Sequence, residues 1–218
     1  MDDVPNPKVI LPAILVSILL IAGVVGAFTW SKSRTSSIVL PGGVTYLGPT
    51  LSPTNKPTVI VSGKVVIPAG VDWTEYKGKQ FPYTFLIPQS LSLGVFPNDP
   101  FDAVTVFSDG MDPQTNLFFR VEDLTKLKKT AYIDAPKLQY ANDWWKDYTW
   151  EGVLSVTPFT NSTGLNGYRA KYKDASGGSP YDHVFFEVPG RKDLMIWLSG
   201  KLFDPKVFDR IVDSVAWL

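Results

Sequence analysis

The alternation of apolar and polar positions divides the chain into three regimes. From Val9 to Trp30 there is no charged residue, and no polar stripe marks a side that would face water. About 20 such residues in a helix cross the roughly 30 Å hydrocarbon core of a bilayer, so residues 9–30 predict a membrane anchor behind a short tail, 1–8. Over residues 31–70 the pattern breaks up, with Pro41-Gly42-Gly43, Gly48-Pro49, Ser52-Pro53 and Lys56-Pro57 recurring among Ser and Thr. Proline fixes φ and withholds a backbone donor, which predicts an extended Pro/Ser/Thr-rich stalk. Two pieces within it, residues 38–40 and 58–67, are apolar enough to pair as strands.

Residues 71–218 read as one folded domain in which period two dominates. Residues 73–76 and 81–88 form two extended runs across Lys77-Gly78-Lys79, with Tyr83, Phe85 and Ile87 on one face. Further strands are expected at 91–96, 103–107 and 117–121, the last placing Leu117, Phe119 and Val121 opposite Phe118 and Arg120. After Gly152 come runs at 153–158, 165–172, 182–188 and 194–198, with Asn166-Gly167 read as a turn signal. Short loops join the last three, which predicts an antiparallel meander. Val184, Phe186 and Val188 alternate with His183, Phe185 and Glu187, so both faces carry large groups and both need cover.

Two segments change period. In residues 136–148, Leu138, Ala141, Trp145 and Tyr148 recur every three or four positions, with Asp134 placed to cap and Pro136 suited to the first turn. After Asp204-Pro205, the residues Val207, Phe208, Ile211, Val212 and Val215 form a second stripe, and the chain is expected to end in that helix. The fold class expected is α+β, an antiparallel β-sheet sandwiched by helices and preceded by a single N-terminal transmembrane helix.

Composition narrows the function classes. Lys plus Arg number 21 and Asp plus Glu 21, so no net field attracts a polyanion and nucleic acid is not an expected partner. Cysteine is absent, which removes thiol catalysis, thiolate metal sites, disulfides and lipoprotein acylation together.

A cleavable signal peptide competes with the anchor reading, since Val25-Gly26-Ala27 offers small residues. The apolar run exceeds the usual 7 to 15 residues, however, and the segment before it is barely basic. Lys8 precedes the span and Lys32 and Arg34 follow it, which taken literally would hold the domain in the cytoplasm. The stalk and the short tail favour the opposite, single-pass arrangement, with the C-terminal domain on the extracytoplasmic side.

The order of a Tyr/Phe-rich strand ending in Ile87-Pro88, a hairpin, a central helix, a meander and a closing 208–215 helix resembles the PsbP-like superfamily over about 73–218. The resemblance implies an antiparallel sheet between helices in a domain that binds or scaffolds. With one histidine, the chain departs from the histidine-containing metal sites of the photosynthetic branch.

Few residues suggest chemistry. His183 could join a Ser-His-Asp triad only with Asp182, which alternation points to the other face, and no GlyXaaSerXaaGly elbow occurs. Residues 108–113 are acidic but lack calcium-loop spacing. Gly177-Gly178 reads as a hairpin turn, and Asn161-Ser162-Thr163 fits a glycosylation sequon. The cluster Trp144, Trp145, Tyr148 and Trp150 is the candidate ligand-binding site, because such rings give large rigid area with a polar handle. Core packing competes with that reading.

The expectation is a membrane-tethered binding or accessory domain engaging an envelope protein, a polysaccharide or a small apolar ligand, with no cofactor, metal or catalytic residue. Two alternatives are an envelope enzyme with paired carboxylates, such as a glycoside hydrolase, and a cytoplasm-facing transport or assembly factor. The anchor gives the first test: after gentle lysis without detergent the intact chain should sediment with membranes, and its recovery in the soluble fraction would refute the anchor.

Overall fold

The computed structural model describes residues 39–40, 44–46, 59–61, 64–96, 98–108, 117–201 and 203–218. All fall within one compact unit, Ile38–Leu218. The expected tail and anchor at 1–30, much of the stalk and the acidic loop beyond Ser108 lie outside the described residues. Among the described residues no helix is long and apolar enough to cross a membrane.

The strands are β1 (Val39–Leu40), β2 (Val44–Tyr46), β3 (Val59–Val61), β4 (Lys64–Val66), β5 (Trp73–Lys77), β6 (Tyr83–Pro88), β7 (Ser92–Val95), β8 (Val104–Phe107), β9 (Leu117–Asp123), β10 (Gly152–Thr160), β11 (Asn166–Lys173), β12 (His183–Glu187), β13 (Leu194–Ser199) and β14 (Ala216–Trp217). The helices are α1 (Lys137–Asp143), continued by a 3-10 turn (Trp144–Asp147), and α2 (Pro205–Ser214). A nine-stranded antiparallel sheet runs β1-β2-β7-β8-β9-β13-β12-β11-β10, beside a three-stranded sheet β14-β6-β5 and the hairpin β3-β4. The class is α+β, and the elements follow the order that carries the sequence resemblance. Within the stretch expected as a stalk, β2 pairs with β7, while 58–67 is a hairpin rather than one strand, with Val65 buried and bridged to Phe203.

The large sheet separates two cores. On one face Tyr83, Phe85 and Ile87 meet Leu117, Phe119, Val121, Val184, Phe186, Leu194, Ile196 and Leu198, under α2 and the small sheet. Phe119 anchors this layer, its ring 4.5 Å from Tyr83 and 4.8 Å from Phe85. The cover on this side is therefore a helix plus a second sheet, not helix alone as the sequence reading had it. On the other face Tyr140, Ala141 and Trp144 pack on Tyr172, Phe185, Met195 and Trp197.

The α2 stripe is as expected, with Val207, Phe208, Ile211 and Val212 buried and the Asp204 side chain accepting from Lys206 N at 2.9 Å. The chain does not end in the helix. Val215 turns extended and β14 pairs with β6, while Ser214 Oγ accepts from Leu86 N at 2.9 Å, so the last residues close the small sheet.

Three local readings need correction. Asp134 does not cap α1: the cap position is Pro136, without a side-chain bond, and Asp134 lies 3.6 Å from Lys192. The buried face of the helix is Lys137, Tyr140, Ala141 and Trp144, whereas Leu138 is 39% exposed, so the stripe sits one position away from the expected one. Asn166-Gly167 is the start of β11, not a turn. A Cβ on Gly167 would lie 2.7 Å from Phe185 O and 2.8 Å from Phe186 Cδ1, so glycine is there to let two strands approach.

The sequon residues are likewise structural. A helix leaves its last carbonyls without intrahelical partners, and here the β10–β11 turn supplies them. Asn161 Nδ2 donates to Val212 O at 3.2 Å and Val215 O at 2.7 Å, Ser162 Oγ donates to Asp213 O at 2.8 Å, and Thr163 Oγ1 donates to Val215 O at 2.6 Å. Asn161 Oδ1 accepts from Leu165 N at 2.9 Å, so the buried amide is used at both ends and is closed to glycosylation in the folded protein. Replacing Asn161 by Ala strands several of these groups and is expected to lower unfolding free energy by roughly 2–3 kcal/mol. A urea titration that gave an unchanged midpoint would remove this latch from the account.

Candidate functional site

Strand register builds the candidate site row by row. Across β11, β12, β13 and β9 the partners run Ala170, His183, Ser199, Phe118 in one row and Tyr168, Phe185, Trp197, Arg120 in the next. In the following row Glu187, Met195 and Glu122 lie abreast. These rows face α1 and the 3-10 turn, and Glu122 and His183 are buried among them.

Glu122 is fully buried. A carboxylate taken out of water must be matched by donors, and four converge on it. Arg120 Nε donates to Oε1 at 3.0 Å, Arg120 Nη2 donates to the same oxygen, Trp144 Nε1 donates to Oε1 at 3.1 Å, and Tyr140 OH donates to Oε2 at 2.6 Å. Burial and the neighbouring Glu122 charge push the Tyr140 phenol well up, so it stays a donor. For Arg120, burial works to lower the pKa, but Glu122 and Tyr148 outweigh it and the net direction is up. Its guanidinium also lies 4.8 Å from the Trp197 ring centroid.

The four sequence-selected aromatics take different places. Trp144 is 2% exposed and central, stacked on Tyr148 at 4.0 Å, Trp197 at 5.0 Å and Tyr172 at 5.4 Å. Tyr148 is 39% exposed and accepts from Arg120 Nη2 at 2.5 Å. Trp145 and Trp150 are half-buried against the same core. The structure thus brings Trp144, Tyr148 and Trp150 around one layer, with Trp144 as part of the core and the others at its rim.

His183, read from sequence as a strand-end residue, is buried inside this layer. Trp144, Trp150, Tyr172, Tyr181 and Trp197 all place ring centroids within 6 Å of it. Trp197 Nε1–H donates to His183 Nδ1 at 3.1 Å. An acceptor nitrogen carries no proton, so the neutral ring holds its proton on Nε2. That nitrogen therefore cannot take a proton from Ser199, the register partner, and no Ser-His pair operates. Burial first, and the Lys201 charge second, pull the His183 pKa down to about 3.

Carboxylates beside the helix are matched in the same way. Asp143 pairs with Lys146 at 2.5 Å and accepts from Tyr132 OH at 3.1 Å, and Asp147 pairs with Lys129 at 2.6 Å. Among the described residues no group of three or more His, Asp or Glu gathers as a metal site. The Gly177-Gly178 turn is observed, closed by Gly177 N donating to Asp174 O at 2.9 Å.

No protein-family model matches this chain, and no curated protein matches it. Among solved structures the chain is similar to the solution structure of cyanobacterial PsbP from Synechocystis sp. PCC 6803, at a TM-score of 0.43 and 14% identity, covering 68% of this chain and 94% of that one. A likeness of that size does not establish family membership.

The His183 environment predicts a pH dependence. Between about pH 3 and its ordinary value near 6.5 the unfolded chain binds a proton that the folded chain does not. Stability is then full above that window and falls as pH drops through it, by roughly 1 kcal/mol per pH unit, levelling off near pH 3. His183→Gln should flatten this part of the profile relative to wild type in urea titrations at pH 6.5, 5.5 and 4.5. Parallel profiles would contradict the buried neutral imidazole.

Proposed function

We propose that the chain is a membrane-tethered, extracytoplasmic binding or accessory domain that works without catalysis. The observation that carries this reading is the contrast between the interior and the rim of the aromatic layer. Inside, Glu122 is saturated by internal donors and the His183 tautomer is fixed by Trp197. At the rim, Leu138, Tyr148 and Val153 are each 39% exposed and Leu154 is 52% exposed. The helix α1 and the 3-10 turn pack along β10, so these exposed groups come from adjoining elements. Neighbouring exposed apolar groups of this kind mark interaction surfaces, and aromatic residues dominate the binding energy of such surfaces.

The strand β10 lies at one end of the large sheet. It has an irregularity between Val153 and Ser155 and carries Pro158, both of which oppose open-ended strand pairing. The surface therefore offers side chains rather than a backbone edge. Residues 9–30 support tethering, and the Pro/Ser/Thr-rich composition of 31–70 supports the outward orientation. An envelope protein or a polysaccharide is the partner that suits a ring-rich rim.

Protease added to intact cells should digest the domain, and protection would reverse its orientation. A photo-crosslinker replacing Leu154 in the full chain should capture an adduct that Tyr148→Ala depletes by roughly fivefold. The same crosslinker at Leu218, which follows β14 of the small sheet, is the control. No adduct from Leu154, or equal capture from both positions, would refute the rim as the binding surface.

A further inference from the structure

In the small sheet β6 is paired on both sides, with β14 along one edge and β5 along the other, from Trp73 opposite Pro88 to Lys77 opposite Thr84. Among the described residues β5 has no second neighbour. The ladder decides which of its backbone groups are left over. In an antiparallel pair, residues that exchange both bonds alternate with residues whose N–H and C=O point away. Gly78 N donates to Tyr83 O at 2.8 Å and Gln89 N donates to Asp72 O at 2.9 Å, so the even-numbered positions of β5 bond to β6. Trp73, Glu75 and Lys77 therefore turn their backbone groups to the outer edge.

Folded proteins interrupt such edges with proline, bulges or very short strands, because an open edge is a template for another strand. The strand β10 carries an irregularity and Pro158, and β1 and β14 are two residues each. The five residues of β5 hold one unbroken register with β6 and include no proline. What β5 does carry is charge. The Lys77 side chain is 69% exposed and that of Glu75 48%, and the two lie 3.5 Å apart on one face of the strand.

Parity and charge together select the strand that fits. A second antiparallel strand bonds through its own outward residues, so in a pair of β5 strands odd-numbered positions face odd-numbered positions. Centring that pair on Glu75 sets the two Glu75 side chains against each other, a like-charge contact that opposes pairing. Centring it on Thr74 leaves Lys77 beyond the facing strand. Centring it on Tyr76 sets Glu75 of each copy opposite Lys77 of the other, and both positions have their N–H and C=O free to bond. The Glu75-Tyr76-Lys77 run is its own complement in this register alone.

We infer that β5 is a dimerisation edge, at which two copies of this chain pair antiparallel about Tyr76 with Glu75 of each copy facing Lys77 of the other. The edge belongs to the small sheet and not to the aromatic rim, so either surface can fail without the other.

Sedimentation equilibrium of the full chain in density-matched detergent micelles should show a monomer–dimer equilibrium with a Kd of about 0.1 mM, as expected of a small interface. The amide protons of Glu75 and Lys77 should exchange more slowly as concentration rises through that value. Glu75→Lys and Lys77→Glu each set like charges across the pair and should weaken association by roughly tenfold. Both side chains are exposed, so the fold should tolerate either change. Mixing the two single variants restores opposite charges at both positions, and the mixture should associate as tightly as wild type. The dimer is overturned by a wild-type chain that stays monomeric at about 1 mM, by single variants that associate like wild type, or by a mixture no tighter than either variant alone. Association that leaves the Glu75 and Lys77 amides unprotected would put the contact elsewhere and reject this edge as well.

Discussion

A carboxylate sealed from water on the face of β9 is the constraint on which the second layer depends. Such a group needs donors around it, and removing one partner of a buried charged pair typically costs about 3–5 kcal/mol. Its own strand supplies Arg120, and the rest must come from outside the sheet. Tyr140 and Trp144 provide it, and they are four residues apart, the spacing that puts two side chains on one helical face. Meeting both bonds fixes the rotation of α1 and its height above the sheet. Trp144 then stacks on Tyr172 and Trp197, and Trp197 in turn sets the tautomer of His183. One buried charge thus orders a chain of contacts that ends two strands away.

That chain explains why some of the fold is legible in the sequence and some is not. The strands containing Tyr83, Phe119, Phe186 and Ile196 announce themselves because apolar residues at alternate positions meet other apolar residues, and identity alone decides their place. The same holds for α2, whose stripe, Asp204 cap and Pro205 agree with one another. The rotation of α1 is different. Its buried face contains Lys137, whose Nζ donates to Ile133 O at 2.7 Å and also to Tyr132 O, and Tyr140, whose hydroxyl reaches Glu122. A reading by residue type places lysine and the tyrosine hydroxyl in water, because the partners that make burial tolerable lie elsewhere in the chain. Asn166-Gly167 fails for a related reason: the local preference for a turn is overridden by the close approach of Phe185 O, which only a residue without Cβ allows.

The candidate site was half visible. Aromatic density at 144–150 could be counted, and it does mark the layer. What counting could not supply was the division of labour, in which Trp144 goes inside while Trp145, Tyr148 and Trp150 keep surface. The place of His183 was missed because its meaning rests on Trp197, 14 residues further along and on the next strand. A usable signal was present in the meander: aligning β12 against β13 across their short loop puts His183 opposite Ser199 and Phe185 opposite Trp197. Register, more than composition, was the missing step.

The two faces of the sheet also differ in what they leave available. The face under α2 is closed by apolar packing, and even the polar turn at Asn161 is consumed in satisfying the helix end. On the other face polar groups hold large rings in fixed orientations, through Glu122 on one side and His183 on the other. Rings locked this way lose little freedom when something docks on them, so more of their contact energy survives as affinity. The layer therefore has matched charges and rings that are held but partly exposed, and that asymmetry follows from where one glutamate was placed.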